Sequence, residues 1–247
     1  MANFWTIVNR IIHDADILIE VVDARNISGT RNVEIEGKID KMGKVMIYCI
    51  NKCDLVDKKK LEKEIRSLKP CVYVSASMRY GMSKLRERIV IEGKKKKIDR
   101  PRVGVLGYPN VGKSSVINAL KGKKSARTSA ESGFTKGKQY LRAGDILLID
   151  SPGVFPAIKE SLTDRAMVGV IDYAKVKNPD LIVMDVMEKV PGKIEKYFSV
   201  KVLEDFEETL EKIALKKKLI IKGGEADMVR ASRMILKLWQ EGKIRQF

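Results

Sequence analysis

Apolar spacing along the chain sets the first expectations. Phe4, Ile7, Val8, Ile11 and Ile12 recur at helical spacing and predict an opening helix, with His13 at its boundary. Two nearly continuous apolar runs follow, Ile17-Leu18-Ile19-Glu20-Val21-Val22-Asp23 and Lys44-Val45-Met46-Ile47-Tyr48-Cys49-Ile50, as expected of strands buried on both faces of a parallel sheet. The first ends in a carboxylate, at the edge where such sheets carry function, and the loop Ala24 to Asn32 follows it. Leu55 to Leu68 reads as a charged helix, Cys71 to Val74 as a third strand, and Gly81 to Ile91 as a helix with Met82, Leu85, Ile89 and Val90 near one face. The lysine run Gly93 to Pro101 reads as a linker into the strand Arg102 to Leu106.

A helical pattern begins at Ser115 and ends near Gly122, and Lys123 to Gly137 is polar, glycine-bearing and basic. Gln139 to Leu141 and Asp145 to Ile149 read as strands turning at Gly144. From Glu160 the strand signal fades, and helices are expected over about 161–176, 179–189, 203–217 and 225–241, with Gly223-Gly224 as a break. The division predicted is an α/β domain over residues 1–158 and a small all-α domain over 159–247.

Chemistry enters with Gly107-Tyr108-Pro109-Asn110-Val111-Gly112-Lys113-Ser114-Ser115, which satisfies G-x-x-x-x-G-K-[ST] between a strand and a helix. In such a loop successive N–H groups surround phosphates, the Lys113 ammonium reaches the β/γ-phosphates, and the Ser114 hydroxyl ligates Mg²⁺. The helix N-terminus adds its positive end, at Val111, Gly112 and Ser115. This cradle alone suits ATP as well as GTP.

Asn51-Lys52-Cys53-Asp54 narrows the choice. A carboxylate at Asp54 can accept from both N1–H and the exocyclic amine of guanine, an arrangement adenine lacks. Asn51 would tether the loop and reach the base edge, and the Lys52 stem would lie across the ring. Ser75-Ala76-Ser77 after a strand suits a loop whose backbone N–H meets guanine O6, although the tripeptide alone is equally an ordinary polar turn. Thr135, within Gly133-Phe134-Thr135-Lys136-Gly137, offers a hydroxyl to Mg²⁺ and the γ-phosphate. Asp150-Ser151-Pro152-Gly153 is a D-x-x-G in which Asp150 would bind Mg²⁺ through water and the Gly153 N–H would sense the γ-phosphate. Lys113, Thr135 and Gly153 are thereby the expected catalytic set.

These motifs run base-reader, Ser-Ala loop, phosphate loop, switch threonine, D-x-x-G, so the expected fold is a circularly permuted P-loop GTPase domain, in the order G4-G5-G1-G2-G3. The helical domain would then hang from the segment after Gly153.

Charge adds a partner class. The 247-residue chain carries a formal +17, and residues 1–155 hold most of it, with 31 Lys+Arg against 17 Asp+Glu. Such an excess favours a polyanion such as RNA, though a merely solvated surface, or the Lys- and Glu-rich composition of thermophiles, is the bland reading. Arg230, Arg233 and Lys237 make a stripe on the last helix that is equally a phosphate contact or a solvated face. Three cysteines and a single histidine argue for reduced thiols rather than a disulfide or zinc framework. No apolar run reaches membrane-spanning length, and the start lacks a signal-peptide pattern, so a cytoplasmic location is expected; a monomer is a separate expectation.

Asp23-Ala24-Arg25, Asn51-Lys52-Cys53-Asp54, Ser75-Ala76-Ser77, the phosphate loop, Gly133-Phe134-Thr135, Asp150-Ser151-Pro152-Gly153 and Lys222-Gly223-Gly224 together resemble the circularly permuted GTPases of the YlqF/YawG type, over nearly the whole chain. The resemblance implies a large-ribosomal-subunit assembly factor that binds rRNA in its GTP form and hydrolyses GTP to GDP and phosphate. It also implies that Asn110 helps place a K⁺ ion, and that catalysis proceeds without a switch II glutamine. Val154 after Gly153 agrees, since it cannot orient water, and a slow intrinsic rate follows. The histidine on the N-terminal arm of some members has no counterpart, because His13 is not equivalent. The alternative function is a GTP-binding structural or protein-partner module with little turnover.

Overall fold

A computed structural model of the chain describes residues 4–122, 140–149, 162–167, 169 and 173–244. Thr135, Asp150 and Gly153, with the expected switch loops around them, lie outside the described residues. The chain divides into two compact units, Met1–Ala157 and Ile158–Phe247.

The first unit contains, in chain order, α1 (Phe4–Asp14), β1 (Ile17–Asp23), α2 (Ile27–Thr30), α3 (Val33–Lys41), β2 (Val45–Asn51), α4 (Lys58–Glu64), β3 (Cys71–Tyr73), α5 (Met82–Lys95), β4 (Arg102–Leu106), α6 (Lys113–Lys121), β5 (Tyr140–Ala143) and β6 (Ile146–Ile149). Its six strands order as β3-β2-β1-β4-β6-β5, parallel throughout except for β5 against β6. All seven residues of β1 are buried, which is why its sequence is a nearly continuous apolar run rather than an alternation. Full burial of a Val, Leu or Ile contributes about 1.5–3 kcal/mol, so the central strand is a main source of cohesion. The chain winds outward from β1 to β2 and β3, then returns to lay β4 on the other side of β1. That reversal opens a crevice at the carboxyl ends of β1 and β4.

Several boundaries differ from the sequence expectations, for local reasons. The loop after β1 contains α2, capped where Asn26 Oδ1 accepts from the Gly29 N–H at 2.9 Å. An unexpected helix, α3, follows; Asn32 Oδ1 caps it through the Ile35 N–H, and only Ile35 and Ile39 are buried. The charged helix expected from Leu55 begins at α4 instead, because Asp57 Oδ1 caps the Lys60 N–H at 2.9 Å. The expected linker from Gly93 is partly helical: α5 continues to Lys95, and Gly93 lets the chain fold back, since a Cβ there would lie 3.1 Å from the Ile98 carbonyl and the Pro101 ring.

The second unit contains α7 (Leu162–Met167), α8 (Pro179–Lys189), α9 (Lys193–Phe198), α10 (Phe206–Lys216) and α11 (Met228–Gln240). The helix expected over 161–176 is cut to α7: Gly169, at φ 74, donates its N–H to the Ala166 carbonyl, and residues 173–175 form a turn. Asp205 and Asp227 cap α10 and α11, fixing starts three residues inside the apolar patterns. α9 had no counterpart among the expected helices; Gly192 and Ser199, both left-handed, confine it to six residues. Trp239 is the largest fully buried side chain, packed among Val183, Met187, Leu210, Ile213 and Ile235, and its Nε1–H donates to the Met167 carbonyl at 3.0 Å. Among the described residues no helix is long and apolar enough to cross a membrane.

Candidate functional site

Three loops meet at the crevice between β1, β2 and β4. The phosphate loop leaves β4 at Gly107, whose φ is 138 and whose absent Cβ would lie 2.4 Å from the Val21 carbonyl of β1. A side chain there would push the loop off the sheet, so glycine is obligatory. Asn110 takes φ 59 and Gly112 φ 96, which curls the backbone before α6 begins at Lys113. Gly112, at the N-cap of α6, has no side chain with which to cap it, which leaves first-turn N–H groups able to meet an anion. Ser114 and Ser115 are exposed at that turn, and Val111 is buried beneath it.

Lys113 is folded onto its own loop, with Nζ 2.8 Å from the Gly107 carbonyl and 2.5 Å from that of Tyr108. Burial pushes its ammonium down to about 8, because two carbonyls replace only part of its hydration. A phosphate group would supply the missing negative charge.

Asn51, at the end of β2, joins all three loops. Its Nδ2–H donates to the Val111 carbonyl at 2.9 Å, and its Oδ1 accepts from the Ala76 N–H at 3.0 Å. The amide is buried, and its two polar atoms are engaged by these backbone groups, so the Ala76 N–H is already used to hold it. The Cys53 N–H donates to the Val74 carbonyl at 3.1 Å, which keeps the Asn51–Asp54 turn beside Ser75-Ala76-Ser77. Ser75 is buried and exchanges two 3.0 Å backbone hydrogen bonds with Tyr80, closing that loop, and its Oγ lies 3.1 Å from the Ser77 Oγ. Asp54, in a short 3₁₀ turn from Cys53 to Leu55, has an exposed side chain, free to meet an incoming edge of donors.

Lys52, left-handed at φ 63, turns its ammonium toward the phosphate loop and donates to the Asn110 carbonyl at 2.7 Å. The same Nζ lies 2.8 Å from Asp23 Oδ2. Burial works to raise the Asp23 carboxyl, but Arg25 and Lys52 outweigh it and hold it below the usual carboxylate range. Burial likewise pulls the Lys52 ammonium down against the opposing pull of Asp23. Arg25 belongs to the same cluster, and neither it nor Asp23 was among the residues expected to form the site. A strand ending in a carboxylate at the sheet's functional edge was the available signal.

The exposed Ser114 hydroxyl is a hard oxygen donor suited to Mg²⁺. The other two expected ligands, Thr135 and Asp150, lie outside the described residues. Asn110 also has an exposed side chain, while its carbonyl is engaged by Lys52.

A family model described as a 50S ribosome-binding GTPase matches residues 102–222. An uncharacterized GTP-binding protein of Methanocaldococcus jannaschii is 42% identical over 248 residues, covering 98% of this chain and 66% of that protein. Nucleolar GTP-binding protein 2 of Saccharomyces cerevisiae is 34% identical over 261 residues, covering 98% of this chain and 52% of that one. The chain thus spans about two thirds of the first relative's length and about half of the second's. The crystal structure of GNP-bound YlqF from T. maritima matches with a TM-score of 0.69 at 25% identity, covering 96% of this chain and 95% of that one. The Asn51–Asp54 turn precedes the phosphate loop in the chain, both leaving strands of one mostly parallel sheet, which agrees with that likeness, and the chain belongs to the circularly permuted GTPases of the YlqF type.

Proposed function

We propose that the protein binds GTP in the crevice, hydrolyses it slowly to GDP and phosphate, and acts as a switch in assembly of the large ribosomal subunit by binding rRNA. The observation carrying the first step is Asn51, whose side chain ties the base-reading turn to the phosphate loop and to the Ser-Ala loop. This arrangement supports a guanine nucleotide as the ligand. Asp54 would accept from the guanine edge, with Ser75, Ala76 and Ser77 beside it and the Lys52 stem along the ring. The N–H groups of Val111, Gly112, Ser114 and Ser115 would cradle phosphates, with Lys113 leaving its carbonyl partners for the β/γ oxygens.

Proteins of this fold family use Mg²⁺, which Ser114 would hold together with Thr135 and Asp150, and which would supply positive charge against that of the phosphates. Asn110 would favour a K⁺ ion beside the phosphates. With Val154 in place of a glutamine, water positioning falls to other groups, which is the reason for a slow rate without a partner. Thr135 and Gly153 would lose their γ-phosphate contacts after hydrolysis and pass the change to residues 159–247, the proposed rRNA-facing domain. The basic excess of residues 1–155 supports a polyanionic partner. A cytoplasmic monomer fits this role.

The test is phosphate release with and without large ribosomal subunits, in K⁺ and in Na⁺. Turnover stimulated by subunits, faster in K⁺, and subunit binding that requires GTP and weakens steeply with salt are the expected results. Binding indifferent to nucleotide, with turnover unchanged by subunits, would overturn the switch in favour of a GTP-binding protein-partner module.

A further inference from the structure

The end of β1 carries a buried ion pair, Asp23 with Arg25, to which the nucleotide reading assigns no task. Asp23 is buried, with 2% of its side chain exposed, and accepts from two cations. Arg25 approaches through its backbone N–H and Nε, each 3.0 Å from Oδ1, and through Nη2, 2.7 Å from Oδ2. Lys52 Nζ completes the set at 2.8 Å from Oδ2. The backbone beneath is equally held: the Asp23 N–H donates to Thr30 Oγ1 at 3.0 Å, and that hydroxyl donates to the Asn26 carbonyl at 2.6 Å.

Such a carboxylate has little freedom to rotate. A guanidinium fork fixes the plane of its partner, whereas an ammonium on a four-carbon stem takes whatever direction is offered. Here the fork sets the carboxylate, and the carboxylate sets the lysine. The direction imposed leads to the Asn110 carbonyl, 2.7 Å from Lys52 Nζ and 58 residues away in sequence.

We propose that Asp23 is a positioning residue for the nucleotide site: oriented by Arg25, its Oδ2 holds the Lys52 ammonium against the Asn110 carbonyl and thereby locks the base-reading turn to the phosphate loop. Without the carboxylate, Arg25 and Lys52 would be like charges in a place where they are only 4% and 20% exposed. Lys52, the flexible partner, would leave for water and release Asn110. Asn51 would still join the loops, so the lock on the phosphate side would loosen rather than vanish. This inference rests on the reading of the crevice as a guanine-nucleotide site.

The experiment is stopped-flow dissociation of a fluorescent N-methylanthraniloyl-GDP from the full chain and its variants. Asp23→Asn should raise the dissociation rate about tenfold or more, the scale of one charge-assisted hydrogen bond, and Lys52→Met should do the same. The double variant should dissociate no faster than either single one, because the two residues act through one contact. Preference for GDP over XDP should stay as in the wild type, since Asp54 is untouched; a role confined to stability would shift the melting temperature and leave dissociation unchanged. A rate for Asp23→Asn within twofold of wild type, or effects of the two substitutions that multiply, would overturn the proposal. If Asp23→Asn fails to fold, the double variant, which removes the surplus cation, decides: dissociation equal to Lys52→Met supports the inference and faster dissociation overturns it. Wild-type protein that binds no labelled GDP would instead overturn the reading of the site itself.

Discussion

Asn51 Nδ2 donates to the Val111 carbonyl across 60 residues of chain, at 2.9 Å, and so fixes the distance between the turn that would read a base and the loop that would hold phosphates. The contact leaves no room for a side chain on the neighbouring residue: a Cβ on Gly112 would lie 2.3 Å from that same nitrogen. Asn51→Ala should therefore leave the Ala76 N–H and the Val111 carbonyl without their partner, costing about 2–4 kcal/mol in urea unfolding. Gly112→Ala, strained both by contact and by its φ of 96, should lower GDP affinity at least tenfold in calorimetry through displacement of Asn51.

Asp54 behaves oppositely, because its side chain is exposed. Asp54→Asn should change stability by less than about 0.5 kcal/mol and shift preference from GTP toward XTP by about 10–100-fold, as expected for one bidentate base contact. Competition binding with the two nucleotides checks it, and an unchanged ratio would remove Asp54 from the base-reading role.

Lys113 makes the site sensitive to alkaline pH. Its folded value of about 8 lies below the ordinary 10.5, so between these values the unfolded chain binds more protons than the folded one. Stability of the nucleotide-free protein should accordingly rise with pH across that window through this group. Phosphate binding favours the charged amine, so nucleotide affinity should fall as pH climbs above about 8, with proton uptake on binding. Calorimetry in two buffers of different ionisation enthalpy measures that uptake, and Lys113→Met should abolish it.

Glu20 sits in the middle of β1, with 1% exposure, and its Oε1 accepts from the Asn32 N–H at 2.7 Å. Burial, reinforced by Glu36, pushes its carboxyl up to about 8. The folded value exceeds the unfolded one, so the stabilisation belonging to the protonated form is complete below about 4.5 and is lost as pH rises through about 8. Glu20→Gln keeps an acceptor for Asn32 without a charge to bury. It should match the wild type near pH 4 and exceed it by about 1–3 kcal/mol at pH 9 in urea unfolding.

Much of the first unit was legible because its signals are short in sequence. The glycines and lysine of Gly107 to Ser114 are contiguous, Asn51 to Asp54 is a single turn, and β1 and β2 are nearly continuous apolar runs because both faces are covered. The helices α3 and α9 were not legible: α3 buries only Ile35 and Ile39, and α9 is six residues long with an interior Glu195 that no apolar pattern would place inside. Helix starts followed single capping side chains, Asp57, Asp205 and Asp227, more closely than the apolar spacing that surrounds them.

The sequence by itself determined which chemistries the chain holds and in what order, because a phosphate loop or a guanine-reading turn is a local arrangement of a few backbone and side-chain groups. Only the tertiary structure decided how they are joined. Asn51 reaches Val111 and Ala76, and Asp23 holds Lys52 toward Asn110, through partners 25 to 60 residues apart that meet because β4 returns beside β1. Hydrogen bonds and ion pairs of that range depend on the register of parallel strands, and register is set by the packing of the whole sheet rather than by any stretch of residues within it.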